Sequence, residues 1–468
     1  MMMRISLALA ATLLGCVSAT ASADPVDDYI RSQLAARHIP GVALAVIKDG
    51  RIVKSAGYGV ASLELEVPVS ANTVFEIGSI SKQFAANAVL LLVEDGKVKL
   101  DDPISAYLTN SPPAWSAITI RHILTHTSGL PDFDTGNIGF SYRREYTDDE
   151  FVELLARKPL DFPPGQRFNY TNAFPLLGIV VRRASGMPYT EFVRTRIFAP
   201  LGLRAMRFKS AEEVVRHRAD GYLFKDGQYR RGEPLRPQII APNGGILTDV
   251  LDFAAWDIAL TSNRLLRPDS VEAISTPVRL ADGRTQAHGL AWFLDTFNGH
   301  SFGVHWGTTV AGHSAVIRRY VDDRLTIIML ANVDDGATGI DEMSKHLAGM
   351  YVPGAALHTL SPKTGDSDAS TAQMRAVLAS IGAGAEHSRA PGLAARLSPA
   401  IRERIAAALR GATALEWLGE ESLGPRHFNA DPRMTRVSWF RARTADGIVY
   451  FTVRLADDGT VGGVLVER

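Results

Sequence analysis

The chain has 468 residues, 46% of them apolar and 21% charged, enough core for about three folding units, or one large and one small. Fifty basic residues balance fifty acidic ones. With no Lys/Arg run to break that balance, the composition excludes the basic surface of a nucleic-acid-binding protein and the cationic patch of one that binds acidic lipid.

Residues 1–23 read as a signal peptide. Arg4 supplies a short positive region, Ile5 to Gly15 an apolar run, and Ala21-Ser22-Ala23 a small-residue cleavage site before Asp24-Pro25. The run is too short to span a bilayer, and no later run of about 18 apolar residues replaces it. A periplasmic or secreted location is expected, with no transmembrane segment. The only cysteine, Cys16, lies inside this stretch. Leu13-Leu14-Gly15-Cys16 resembles a lipoprotein attachment box, so anchoring at Cys16 is the alternative. Cleavage after Ala23 leaves a mature chain without cysteine, hence without disulfide or thiol chemistry.

Asp27 to Ala36 predicts a helix with Tyr29, Ile30 and Leu34 on one side. Gly41 to Lys48 and Arg51 to Tyr58 read as strands joined at Asp49-Gly50, a hairpin signal. From Ala85 to Glu94 the density of Ala, Leu and Val predicts a buried helix, closed by Asp95-Gly96. Gly96 to Pro103 is a connection. Between about 104 and 280 the pattern turns helical and loop-rich. Helices are expected in Ile118 to His126, Asp148 to Ala156, Leu176 to Ala184 and Phe253 to Leu260. Pro163 to Asn172 predicts a rigid turn and then an extended segment.

Strands return at His288 to Phe297, Phe302 to Trp306, His313 to Tyr320 and Leu325 to Asn332, and a helix from Ile340 to Tyr351 follows. Strands at both ends with helices between predict an α/β (α+β) fold. One antiparallel sheet, flanked by helices, is built from both chain ends beside a helical subdomain. A site is expected in the groove between them. Residues 354–371 are polar and turn-rich, a linker. Residues 372–468 read as a small α+β domain with helices at Ala372 to Ile381 and Pro399 to Arg410 and then about four strands. The units are thus 24–353, 354–371 and 372–468.

Ser79 and Lys82 stand three residues apart at the head of the Ala/Leu/Val helix, on one face and within reach of each other. A serine hydroxyl needs a base. A lysine serves as one only when burial or a second cation lowers its pKa. The helix N-terminus adds a positive field and a free N–H suited to an oxyanion. Taken alone, Ser-x-x-Lys also reads as a cap with a solvated lysine. Tyr170 and Asn172 add a phenol that relays protons and an amide that orients; an ordinary turn tyrosine with an Asn cap is the alternative. In His305-Trp306-Gly307-Thr308, Gly307 would let a substrate backbone approach the strand, and the Thr308 N–H would supply a second oxyanion donor. His122 and His126 lack a carboxylate partner and are read as packing and turn, not as metal ligands. Gly312-His313-Ser314 approaches a nucleophile elbow but runs on into an alternating strand, which places Ser314 in a sheet.

Together these residues resemble the serine β-lactamase and penicillin-binding-protein superfamily, and within it class C β-lactamases and their esterase and D-aminopeptidase relatives. Ser79-Ile80-Ser81-Lys82 is similar to the Ser-x-x-Lys element, Tyr170-Thr171-Asn172 to the Tyr-x-Asn element, and His305-Trp306-Gly307 to a His-x-Gly variant of Lys-Thr-Gly. Phe75 to Ser79, Leu124 to Leu130 and Asn243 to Asp249 also look like family segments, and the order from about residue 26 to 351 agrees.

The resemblance implies a β-lactamase/transpeptidase-like fold and hydrolysis of an ester or amide, peptide or β-lactam-like, through an acyl-serine. It makes Ser79, Lys82 and Tyr170 catalytic and Asn172, His305, Gly307 and Thr308 substrate-binding. No cofactor or metal is implied; the partner is a small-molecule ester, amide or peptide. Because His305 and Trp306 replace the lysine and threonine of class C β-lactamases, neutral substrates are expected above pH 7, with carboxylate-bearing ones gaining as His305 protonates near its ordinary pKa of about 6.5.

A literal Lys363-Thr364-Gly365 lies in the linker, followed by Asp-Ser-Asp, and is read as unrelated. The alternative functions are a penicillin- or peptidoglycan-binding protein that acylates without turnover, and a ligand-binding C-terminal domain on a degenerate scaffold.

Overall fold

The structure is a computed structural model and describes residues 24–467 apart from 136–137, 211, 234–237, 335–337, 364–366, 429–430 and 446. The expected signal peptide with Cys16, and Thr364 and Gly365, lie outside the described residues.

The most apolar stretches at the two ends of the large unit meet. Gly41–Lys48 lies between Leu325–Ala331 and Arg51–Ser62, antiparallel to both, with Val42 opposite Ala331 and Ala45 opposite Ile328. The full sheet has seven strands in the order Phe293–Phe297, His300–Thr309, His313–Tyr320, Leu325–Ala331, Gly41–Lys48, Arg51–Ser62, Val67–Pro68. Its middle strands are apolar at successive positions because both faces are covered. Val42, Leu44 and Val46 join Ile327 and Met329 under Ile30 of the Pro25–Ala36 helix and Met343 and Leu347 of the Thr338–Tyr351 helix. The alternate residues Ala43, Ala45, Ile47, Ile328 and Leu330 face the larger core, which holds the Ser81–Glu94 and Val250–Thr261 helices and the helical insert. The expected antiparallel sheet and helical subdomain are therefore present. No helix among the described residues is long and apolar enough to cross a membrane.

Two expectations shift. The strand expected from His288 begins at Phe293, since His288 makes only an isolated bridge. Between them Ala291 takes a positive φ of 60° and Gly289 N–H bonds the Trp292 carbonyl, so the chain turns back. The stretch read as a linker is not slack. Leu357 is buried with Leu418, Val437, Trp439 and Tyr450, Lys363 N–H bonds the Trp417 carbonyl at 2.9 Å, and the next helix, Ser367–Gly382, already starts inside the expected linker. The polar sequence hid two anchoring leucines, Leu357 and Leu360.

Four antiparallel strands, Ala414–Ser422, Arg436–Thr444, Gly447–Leu455 and Val461–Glu467, form a second sheet with its own core beneath Ser367–Gly382 and Pro399–Arg410. This sheet docks on the edge hairpin of the first. The Phe297 and Trp439 rings lie 4.8 Å apart, Lys345 pairs with Glu467 at 2.7 Å, and Gly299 N–H bonds Glu421 at 3.1 Å. Ending the chain after Gly354 bares Phe297, which Trp439 covers. Exposing such a ring costs about 1.5–3 kcal/mol, so the unfolding midpoint is expected to fall by about 5 °C or more, read by thermal near-UV circular dichroism.

Candidate active site

Ser79 sits in a single 3-10 turn, Gly78–Ile80, that runs directly into the Ser81–Glu94 helix, so its N–H lies in the helix's positive field. Gly78 makes the turn possible with a φ of 51°. The turn packs on the His300–Thr309 strand more closely than side chains allow. A β-carbon on Gly307 would stand 1.9 Å from the Ile77 carbonyl oxygen and 3.2 Å from the Ser79 nitrogen, and one on Gly78 would stand 2.8 Å from the Thr308 nitrogen. Gly307 therefore admits the nucleophile's own turn, where the sequence suggested it admits substrate. Ser79 is half-buried and Thr308 exposed, and the backbone nitrogens of both border this close approach.

Lys82 is fully buried, with Nζ 3.0 Å from Ser79 Oγ, 3.1 Å from Asn172 Oδ1 and 3.4 Å from the Asn243 carbonyl oxygen. Its ammonium also lies 5.0 Å from the Tyr170 ring centre and 5.7 Å from that of Phe174. Burial lowers its pKa to about 7, against the opposing pull of Asp132 and Asp134. The solvated-lysine alternative does not apply.

Tyr170 and Asn172 reach this centre on an irregular segment laced to the turn after His126. Asn169 N–H bonds the His126 carbonyl, Gly165 N–H that of Thr127, and Thr171 N–H donates to His126 Nδ1 at 3.1 Å. The His126 ring also lies 4.3 Å from that of Tyr170. His122, by contrast, caps its own helix by accepting from Thr119 N–H. Burial pushes the Tyr170 phenol up, opposed by its hydrogen bond with the Ser79 hydroxyl, so the phenol stays protonated at neutral pH.

Asp132, which belongs to none of the sequence motifs, accepts the Asn172 backbone N–H at 2.9 Å and its side-chain N–H at 3.5 Å. The one signal was its place just after the Gly129-Leu130-Pro131 stop. Asn243 opens the Asn243 to Asp249 segment, and its backbone carbonyl faces Lys82.

His305 is buried, and its ring Nδ1 donates to the Trp306 carbonyl at 2.6 Å. Nε2 then carries no proton and has no partner among the described residues. Its ring lies 5.6 Å from Phe293 and 6.1 Å from Tyr170. Burial and the nearby Lys82 hold its pKa down at about 3. The expectation that His305 titrates near 6.5 and draws carboxylates as pH falls is corrected: it is a neutral acceptor across the working range. Trp306 instead donates to Asp341 at 2.7 Å. Ser314 is fully buried in the His313–Tyr320 strand with its hydroxyl on the Val333 carbonyl. No group of three His, Cys, Asp or Glu among the described residues is placed to hold a metal ion.

A protein-family model described as Beta-lactamase matches residues 26–348. Penicillin-binding protein 4* of Bacillus subtilis (strain 168) is 29% identical over 315 residues, 63% of this chain and 68% of that protein. Protein flp of Staphylococcus aureus (strain N315) is 24% identical over 324 residues, 67% of this chain and 64% of its own length. Of solved structures, the octameric penicillin-binding protein homologue from Pyrococcus abyssi aligns over 94% of each chain, with a TM-score of 0.60 and 20% identity. The D-amino acid amidase from Ochrobactrum anthropi SV3 aligns over 70% of this chain and 100% of its own, with a TM-score of 0.60 and 24% identity. These two likenesses are of fold. The matched family span holds Ser79, Lys82, Tyr170, Asn172, His305, Gly307 and Thr308 together, and on that match the chain belongs to the Beta-lactamase family.

Proposed function

We propose that the protein is a serine hydrolase that cleaves a neutral ester or amide through an acyl intermediate on Ser79. The observation that carries this is Lys82: fully buried, 3.0 Å from Ser79 Oγ, and lowered to about 7. A neutral amine has two N–H bonds and one lone pair. With Asn172 Oδ1 and the Asn243 carbonyl taking the N–H groups, the lone pair is left for the Ser79 proton.

Ser79 Oγ then attacks the substrate carbonyl as its proton passes to Lys82, and the Ser79 and Thr308 N–H groups hold the oxyanion. The ammonium returns the proton, with the Tyr170 phenol as relay, to the departing oxygen or nitrogen. Water repeats the sequence on the acyl-serine and regenerates Ser79. His305 is buried and uncharged, so its position brings no cation to a substrate carboxylate, which favours uncharged substrates. The signal-peptide-like pattern of residues 1–23 supports export to the periplasm or beyond. Similarity to Penicillin-binding protein 4* supports a second reading, acylation without turnover, which stoichiometric burst without a steady state would reveal.

The test is the pH profile of kcat/KM on a neutral chromogenic ester. Lys82 works deprotonated, so activity is expected to rise through pH 7 and level off above about pH 8, falling roughly tenfold per unit below about pH 6. His305, held near 3, adds no inflection between pH 5 and 9. A profile flat from pH 5 to 9 would remove Lys82 as the base.

A further inference from the structure

Four partly exposed rings adjoin one another on one side of the Ser79–Lys82 centre: Phe168, Tyr170, Phe293 and Phe428. Tyr170 stacks on Phe293 at 5.7 Å, Phe293 meets Phe428 at 5.3 Å, and Phe428 meets Phe168 at 5.9 Å. His288 lies behind them, 4.9 Å from Phe293 and 5.1 Å from Phe168. It is fully buried. The backing is uncharged, since burial holds His288 near 3.

Three of these rings come from the large unit. Phe428 comes from the C-terminal one, and its backbone is held from both sides. Its N–H donates to Asp295 Oδ1 at 3.2 Å, on the same strand as Phe293, and its carbonyl accepts from Arg454 at 2.6 Å, on the Gly447–Leu455 strand. A single partly exposed apolar residue is ordinary; what sets Phe428 apart is its place in a contiguous row of rings that reaches Tyr170. Its clamped backbone sets Phe428 against the core of the large unit while the residue stays partly exposed, beside the rings that lead to Tyr170.

We propose that Phe428 is a specificity-determining residue: the C-terminal unit completes an aromatic wall of the Ser79 site, and the preferred substrates carry an aromatic or bulky apolar group. The inference rests on the hydrolase reading above and names its substrate class. Such a group stacks on or edges against the rings, as aromatic pairs do at centroid distances of about 4.5–7 Å.

The experiment uses the full chain and two fluorophosphonates that differ only in the alkoxy group, ethyl against 2-phenylethyl, with the second-order labelling rate of each at Ser79. The wild type is expected to favour the phenylethyl probe by about tenfold or more. Phe428→Ala should lower that preference about three- to tenfold, with the phenylethyl rate falling by more than the ethyl rate, and Phe428→Trp should keep it. Phe428→Leu, which preserves bulk, reports the same loss if the alanine variant does not fold. A wild-type preference near one overturns the wall. So does an unchanged preference in both Phe428→Ala and Phe428→Leu, or a fall of both rates in equal proportion. If neither probe labels Ser79 in the wild type, the hydrolase reading itself fails and the wall falls with it.

Discussion

Lys82→Met is expected to lower kcat/KM for a neutral ester by about 10²–10⁴-fold, the usual contribution of a positioned general base. Methionine fills most of the same volume without the amine, so the helix keeps its packing while the Asn172 and Asn243 oxygens lose a donor. Each such orphaned acceptor costs about 1–3 kcal/mol, a loss a folded domain of this size survives. Lys82→Arg should be as inactive for a different reason. The pocket lowers the lysine to about 7 by burial, but a guanidinium stays charged there and has no lone pair to take the serine proton. The residual rate of both variants should lose the rise through pH 7. Steady-state kinetics from pH 5.5 to 9 decide it: an arginine variant keeping a tenth of the activity would place the base elsewhere.

Gly307→Ala is the second large effect, and it should strike folding and catalysis together. The new methyl would stand 1.9 Å from the Ile77 carbonyl oxygen. The strand cannot retreat, because His300–Thr309 pairs with His313–Tyr320 residue by residue through this point, Gly307 opposite Ala315. The Ser79 turn must move instead. Overpacking of this kind costs about 1–3 kcal/mol. Displacing the Ser79 N–H from the Thr308 N–H by about 1 Å costs on the order of 10²-fold in rate. Gly227→Ala is the comparison: Gly227 has a positive φ of 75°, which Gly307 lacks, but its added β-carbon meets nothing within 4 Å. It should lower the melting midpoint slightly and leave kcat/KM within twofold, roughly the scale of a surface change. Equal effects at the two glycines would mean that the close packing at Gly307 does not matter.

What could be read from the sequence was local. The middle strands and the Ser81–Glu94 helix are apolar at a period or in a run that betrays them, and Ser79 with Lys82 is a spacing that one helical turn brings together. Tyr170 and Asn172 were legible as residue types, and their convergence on Lys82 is a product of the fold. The environment of each group was not legible. His305 carries no mark of burial in its own neighbours; Phe293 and Tyr170, which enclose it, come from remote segments. Asp132 acts through an N–H forty residues on, and Phe428 through rings supplied by the other unit. A sequence pattern predicts which side chains share a face, but a lowered pKa or an aromatic wall depends on which distant faces meet.

Acylation of Ser79 can be read by mass spectrometry of the protein after reaction with a fluorophosphonate. The intact mass should rise by one phosphonyl group, peptide mapping should place it on Ser79, and Ser79→Ala should take up none. An adduct on Ser314 or any other residue, or full labelling of Ser79→Ala, would contradict it.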